Sequence, residues 1–164
     1  MIVEKNQSAE ISLIGAICVY PEVVERVQGK VTATDFTDQY CALIYEAAEE
    51  TTSRGKHWDA VMAADALAQK TGDADEARRF IADCMQHASD YDNAEVHADL
   101  IRKHAETRYL YFAVTKAQMS ATEPHELASE LVSVCNEYLR GKKTGRMATL
   151  ADALTEAYKE ITSK

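Results

Sequence analysis

Between Asn93 and Ser120 the chain contains neither glycine nor proline. Such a stretch permits one unbroken helix of about seven turns, which no compact fold can hold without a partner of comparable length. Ala94, Ala98, Ile101, Ala105 and Phe112 line one side of it, and Leu100, Tyr109 and Tyr111 broaden the apolar surface. Pro124 then opens a second long helix with Leu127, Leu131, Val134 and Tyr138 at i, i+4, i+7 and i+11, and Gly141 is expected to close it. Two long helices joined by a few residues fold back on each other as an antiparallel hairpin.

The preceding residues read as shorter helices. Ser8 can cap a helix from Ala9 to about Tyr20 that is apolar nearly all round, as a central buried helix must be. Pro21 stops it and leads into a short amphipathic helix with Val23, Val24 and Val27 inward, ended by Gly29. After a connector from Val31 to Phe36, Thr37 or Asp38 caps a third helix whose inward stripe is Tyr40, Leu43, Ile44 and Ala47. Asp59 caps a fourth helix through Val61, Met62, Ala66 and Leu67, closed by Gly72. A fifth from about Asp75 buries Phe80, Ile81, Cys84 and Met85. No period-2 pattern of β-branched residues persists anywhere, so no sheet is expected.

The expected fold is therefore all-α: an orthogonal bundle of short helices over 1–91, a long antiparallel hairpin over 92–141, a basic linker over 142–148 and a separate C-terminal helix over 149–164. In that last helix Leu150, Ala153, Leu154, Ala157, Tyr158 and Ile161 share one stripe. So short a helix is marginal alone in water. Burying its four larger side chains offers roughly 6–10 kcal/mol gross, either against its own domain or against another chain.

Composition narrows the function classes. Only 2 Pro and 6 Gly occur in 164 residues, in keeping with helices. The N-terminus has no signal-peptide pattern, and the longest apolar run, Ile14 to Tyr20, is far short of the roughly 20 residues of a membrane span, so a cytoplasmic protein is expected. Cys18, Cys41, Cys84 and Cys135 are scattered singly with no C-x-x-C spacing and read as reduced thiols packed as small hydrophobes. A net charge of −9 argues against strong nucleic-acid binding by this chain alone, although Arg140, Lys142, Lys143 and Arg146 form a local basic segment that a strand or an acidic partner could approach.

No catalytic or cofactor constellation stands out. A P-loop needs Gly-Lys followed by Ser or Thr so that amides and hydroxyl cradle phosphate and magnesium. The three Gly-Lys pairs here are followed by Val31, His57 and Lys143. None of His57, His87, His97, His104 and His125 has a glutamate three residues before it, as a di-iron bundle would require, and His97 and His104 lie two turns apart. Tyr109 and Tyr111 flank opposite sides of a helix that can bury only one. They read equally well as a broad core stripe or as an aromatic interface.

Several segments carry a family likeness. Ala9-Glu10-Ile11-Ser12-Leu13-Ile14-Gly15-Ala16-Ile17 is similar to the A-E-x-S-(V/L)-L-G-x-(L/I) opening of DnaB-type replicative helicase N-terminal domains. Asp35-Phe36, Leu43-Ile44-Tyr45-Glu46-Ala47, Gly55 with Trp58-Asp59-Ala60-Val61, and Asp92-Asn93-Ala94 with Ala98-Asp99-Leu100-Ile101 resemble later family segments in the family's order, with His97 where tyrosine is usual. Thr149-Leu150-Ala151-Asp152-Ala153-Leu154 resembles the start of the family's linker helix.

The resemblance implies a collar module, non-catalytic in itself. In that family pairs of these domains associate through their hairpins, and three pairs form a collar that receives the primase's C-terminal helical domain. The linker helix packs on the ATPase domain of a neighbouring subunit, and helicase loaders act near it. By resemblance Leu150, Leu154, Tyr158 and Ile161 would form the linker-helix contact, while Ile101, Tyr109, Phe112, Leu127 and Leu131 would mix hairpin core with domain–domain contacts. No cofactor is expected in this chain, because ATP and magnesium belong to an ATPase domain that lies beyond residue 164 in the family. The chain would then be a fragment of such a helicase. The alternatives are a stand-alone regulator or adaptor, phage origin included, that binds helicase rings, or an unrelated helical enzyme built around His97 or His104.

Overall fold

The first helix, α1 (Gln7–Val19), is the hub of the structure because both of its faces are apolar: Leu13, Ile14, Ala16 and Ile17 have no solvent exposure. The computed structural model describes residues 7–144, with side chains to residue 141. The remaining helices are α2 (Val23–Val27), α3 (Gln39–Ser53), α4 (Ala60–Thr71), α5 (Ala74–Gln86), α6 (Ala94–Ser120) and α7 (Pro124–Thr144), with short 3-10 turns at Ala33–Asp35 and Tyr91–Asn93. The described residues contain no strand; one isolated bridge joins Gln28 to Val31. The expected basic linker and the helix carrying Leu150, Leu154, Tyr158 and Ile161 lie outside the described residues.

Aspartates start three of the helices. Asp38 accepts the Tyr40 and Cys41 amides, Asp59 the Met62 amide, and Asp73 the Asp75 and Glu76 amides, each satisfying donors that a helix start leaves unpaired. Gly72 closes α4 in the left-handed region at φ 77°.

Two features lock the bundle around α1. Gly15 lies where α1 meets α5, and a Cβ there would sit 2.0 Å from the Cys84 carbonyl oxygen, so only glycine permits this approach. Glu10, 1% exposed, accepts the Thr37 amide (2.9 Å) and hydroxyl (2.6 Å) on Oε1 and the Asp38 amide (2.8 Å) on Oε2. A carboxylate buried this deeply is tolerable because three donors at the start of α3 replace its water.

The inward registers differ from the expected ones in three helices. In α3 the buried residues are Cys41, Ile44, Tyr45 and Ala48. Tyr45 can be fully buried because its hydroxyl donates to the Val31 carbonyl (3.1 Å), whereas Tyr40 is half-buried against the edge of the core with its hydroxyl on Glu76 and its ring edge-on to Phe80. In α4 Ala63 and Leu67 face inward while Val61 is 76% exposed and Met62 is also exposed; the bulk of the core here comes from Trp58, just before the helix. In α5 the inward residues are Ala77, Ile81 and Cys84. Phe80 is half-buried and Met85 exposed, because the α1 crossing at Cys84 fixes which face points in. Finally, α7 does not end at Gly141 but runs to Thr144; a helix-interior glycine costs only about 1 kcal/mol.

The chain forms two compact units with the boundary between His104 and Ala105, inside α6. Ala94, Ala98 and Ile101, in the first turns of α6, belong to the core of the first unit.

Candidate interaction surface

In the first unit, charge fixes where α6 begins. Glu95 is hydrogen-bonded by the Arg26 guanidinium and paired with Lys30 Nζ at 3.0 Å; Lys30 also lies 3.9 Å from Asp99. The Arg26 guanidinium carbon sits 4.7 Å from the Tyr91 ring centroid, and Tyr91 meets Tyr20 edge-on. Arg26, then Lys30, holds the Glu95 carboxyl below its ordinary range. Ile101 is buried in the core of this unit and presents nothing to solvent.

The second unit holds the rest of α6 and all of α7, joined across residues 121–123. Glu126, in the first turn of α7, accepts the Thr122 amide and hydroxyl and the Glu123 amide, which orders the turn and lowers the Glu126 carboxyl below its ordinary range. The Ser120 hydroxyl donates to Glu130 (2.8 Å) and the Tyr138 hydroxyl to Glu106 (3.0 Å). Partners that diverge in this order along the two helices define an antiparallel hairpin.

Between the two helices runs a groove of about 310 Å³, floored by Tyr109, Phe112, Ala117 and Val134 and rimmed by Lys116 and Glu137. Tyr109 is buried, and burial, reinforced by Glu137, raises its phenol above the ordinary value. Phe112, Leu127, Leu131, Val134 and Tyr138 are only half-buried. Tyr111 is exposed, so the two tyrosines do take opposite environments.

A second apolar stripe lies on α7 beside the one expected from the sequence. Ala128, Val132, Cys135 and Leu139, at 4-3-4 spacing, are all exposed, with Val132 at 60% and Leu139 at 56%. Their neighbours on that side, Ser129, Leu131 and Asn136, are uncharged. Met119, near the end of α6, is 78% exposed. Its pattern is present in the sequence but is masked there by the adjacent, larger Leu127–Leu131–Val134–Tyr138 stripe.

Among the described residues no group of histidine, cysteine, aspartate or glutamate side chains is arranged to hold a metal ion. His97 is half-buried with Nδ1 lacking a hydrogen-bond partner, and burial lowers its basicity. No described helix is long and apolar enough to cross a membrane.

Among the described residues, a bundle of short helices, a two-helix hairpin and an exposed apolar stripe on α7 define an all-helical module. The chain belongs to the DnaB-like helicase N-terminal domain family, which it matches over residues 3–103. The structure is similar to the crystal structure of the N-terminal domain of DnaB helicase from Mycobacterium tuberculosis, with a TM-score of 0.67 at 20% identity over 81% of this chain and 97% of that one. No curated protein matches the chain in sequence.

Proposed function

We propose that this chain is the oligomerisation and docking collar of a hexameric replicative DNA helicase, non-catalytic in itself. The observation that carries the reading is the hairpin: a two-helix unit whose inner stripe is only half-buried and whose outer stripe is bare. Two helices cannot enclose a core alone, and a second hairpin supplies what is missing. The reading extends to dimers of this chain, a trimer of dimers in the full-length protein, and docking of a primase C-terminal domain and a helicase loader on the collar. The segment with Leu150, Leu154, Tyr158 and Ile161 would contact the ATPase domain of a neighbouring subunit. ATP and magnesium would act only in that domain.

Sedimentation velocity of the full chain from low to high micromolar concentration tests the core of this reading. Dimers or larger species are expected; a strict monomer across the range would remove its physical basis. The contact faces are apolar while the chain carries a net charge of −9, so added salt should strengthen association by screening the repulsion between copies.

A further inference from the structure

We propose that residues 149–164 dock as a helix in the groove between α4 and α5 of the same chain, with Leu150, Leu154 and Tyr158 laid along the Ala60–Ala64–Ala68 row of α4; this docking needs no self-association. The groove, of about 430 Å³, lies wholly within the first unit. Its α4 side is that alanine row and its α5 side carries Ile81 and Met85. One charge stands on each side, Asp65 on α4 and Arg78 on α5. Val61, which also lines the groove, is 76% exposed.

Size and charge both select the occupant. Ala60, Ala64 and Ala68 follow one another at four-residue spacing, as do Leu150, Leu154 and Tyr158. A ridge of large side chains thus meets a row of small ones at the same pitch. Wound as a helix, the segment carries Glu156 and Glu160 on one side of its stripe and the hydroxyls of Thr155 and Thr162 on the other. The acids suit Arg78 and the hydroxyls can donate to Asp65. Arg78 pairs with Asp75 and Asp65 accepts from Gln69, each along its own exposed helix surface, so either can take a further partner without giving up a buried one. The groove between α6 and α7 is a poorer match, because its lining sets Glu130 and Glu137 against one lysine, Lys116, and would repel the same acids.

A tethered segment works at about millimolar effective concentration, so a docking affinity of roughly 0.1 mM fills the groove about nine-tenths of the time. The same stripe cannot lie against two surfaces at once. Docking here therefore excludes the contact with a neighbouring ATPase domain proposed above, and such a domain would have to displace the segment from the groove.

Maleimide labelling of a cysteine placed at Val61 tests this in the full chain. In a Cys135→Ser background Val61→Cys supplies the accessible thiol, since Cys18, Cys41 and Cys84 are buried. Labelling should be slow, at one rate from low to high micromolar chain, and Leu154→Glu with Tyr158→Glu should speed it about tenfold. Arg78→Glu should speed it as well. Adding Glu156→Arg and Glu160→Arg to Arg78→Glu should slow it again, which a loosened core would not do. Val96→Cys, on an exposed part of α6 outside the groove, should label fast in every background.

A labelling rate at position 61 that ignores the Leu154 and Tyr158 substitutions, or a charge exchange that restores nothing, would overturn the proposal and leave the groove to a different protein. Excess Cys135→Ser chain that restores slow labelling to the Leu154→Glu, Tyr158→Glu variant would give the groove to a second copy and overturn it equally. Neither result changes what sedimentation says of the collar.

Discussion

Glu10→Gln is the substitution that most directly probes how the first unit is held together. The carboxylate receives three hydrogen bonds, two on Oε1 from Thr37 and one on Oε2 from Asp38. An amide keeps one acceptor oxygen and presents an NH2 where the other stood. In the cheaper orientation the oxygen stays with Thr37 and the new NH2 faces the Asp38 amide donor. One charge-assisted bond worth about 1.5–3 kcal/mol is lost, and the remaining two weaken to neutral strength, so the expected destabilisation is about 2–4 kcal/mol. For a chain of this length that is a fall in Tm of about 5–15 °C. Trp58, the single tryptophan and fully buried, reports the transition by its emission during denaturant titration. Combining Glu10→Gln with Thr37→Ala should be less than additive by about 1 kcal/mol, because the Thr37 hydroxyl bond that Thr37→Ala removes is already weakened to neutral strength in Glu10→Gln. A loss below about 0.5 kcal/mol would place Glu10 among ordinary surface positions and refute the argument that it ties α1 to α3.

The thiols should separate into one fast and three slow. Cys135 is exposed, whereas burial drives the Cys18 and Cys84 thiols up to about 12 and Cys41 strongly upward as well. A thiol-disulfide reagent should therefore titrate one equivalent in the native chain when it is dilute enough to be monomeric, and four in denaturant; a second fast thiol would contradict the packing around α1. His97 predicts a pH dependence of stability. Its folded-state basicity is depressed by burial, so the unfolded chain takes up that proton first, and stability is lost as pH falls from about 6.5 through the folded value. Denaturant midpoints of His97→Phe should lack that part of the slope, and an unchanged slope would assign it to other groups.

Among the described residues, the number and order of the helices and most of their boundaries are legible in the sequence because their determinants are local. The Asp38 and Asp59 caps, the Gly72 stop and the residues free of glycine and proline after Asn93 each act within a turn or two of where they stand. Register was less legible. The α3 stripe read from side-chain size alone centred one residue early, because Tyr45 outranks Tyr40 as a core residue only if the Val31 carbonyl is there to receive its hydroxyl. That carbonyl belongs to a connector fourteen residues earlier, and no period within α3 encodes it. Val61 is exposed for a related reason: Trp58, just before α4, supplies much of the core there, and only Ala63 and Leu67 of the helix are buried.

Position by position, the family likeness in the opening helix becomes physical. Glu10 and Gly15 look like helix grammar in the sequence, one an ordinary solvated acid and the other a weak helix former. In the structure they are the two residues of α1 for which no close substitute works: one because three donors converge on it from the start of α3, the other because the α5 backbone occupies the place of its Cβ. Neither requirement can be inferred from α1 itself, because each is imposed by a segment distant in the chain.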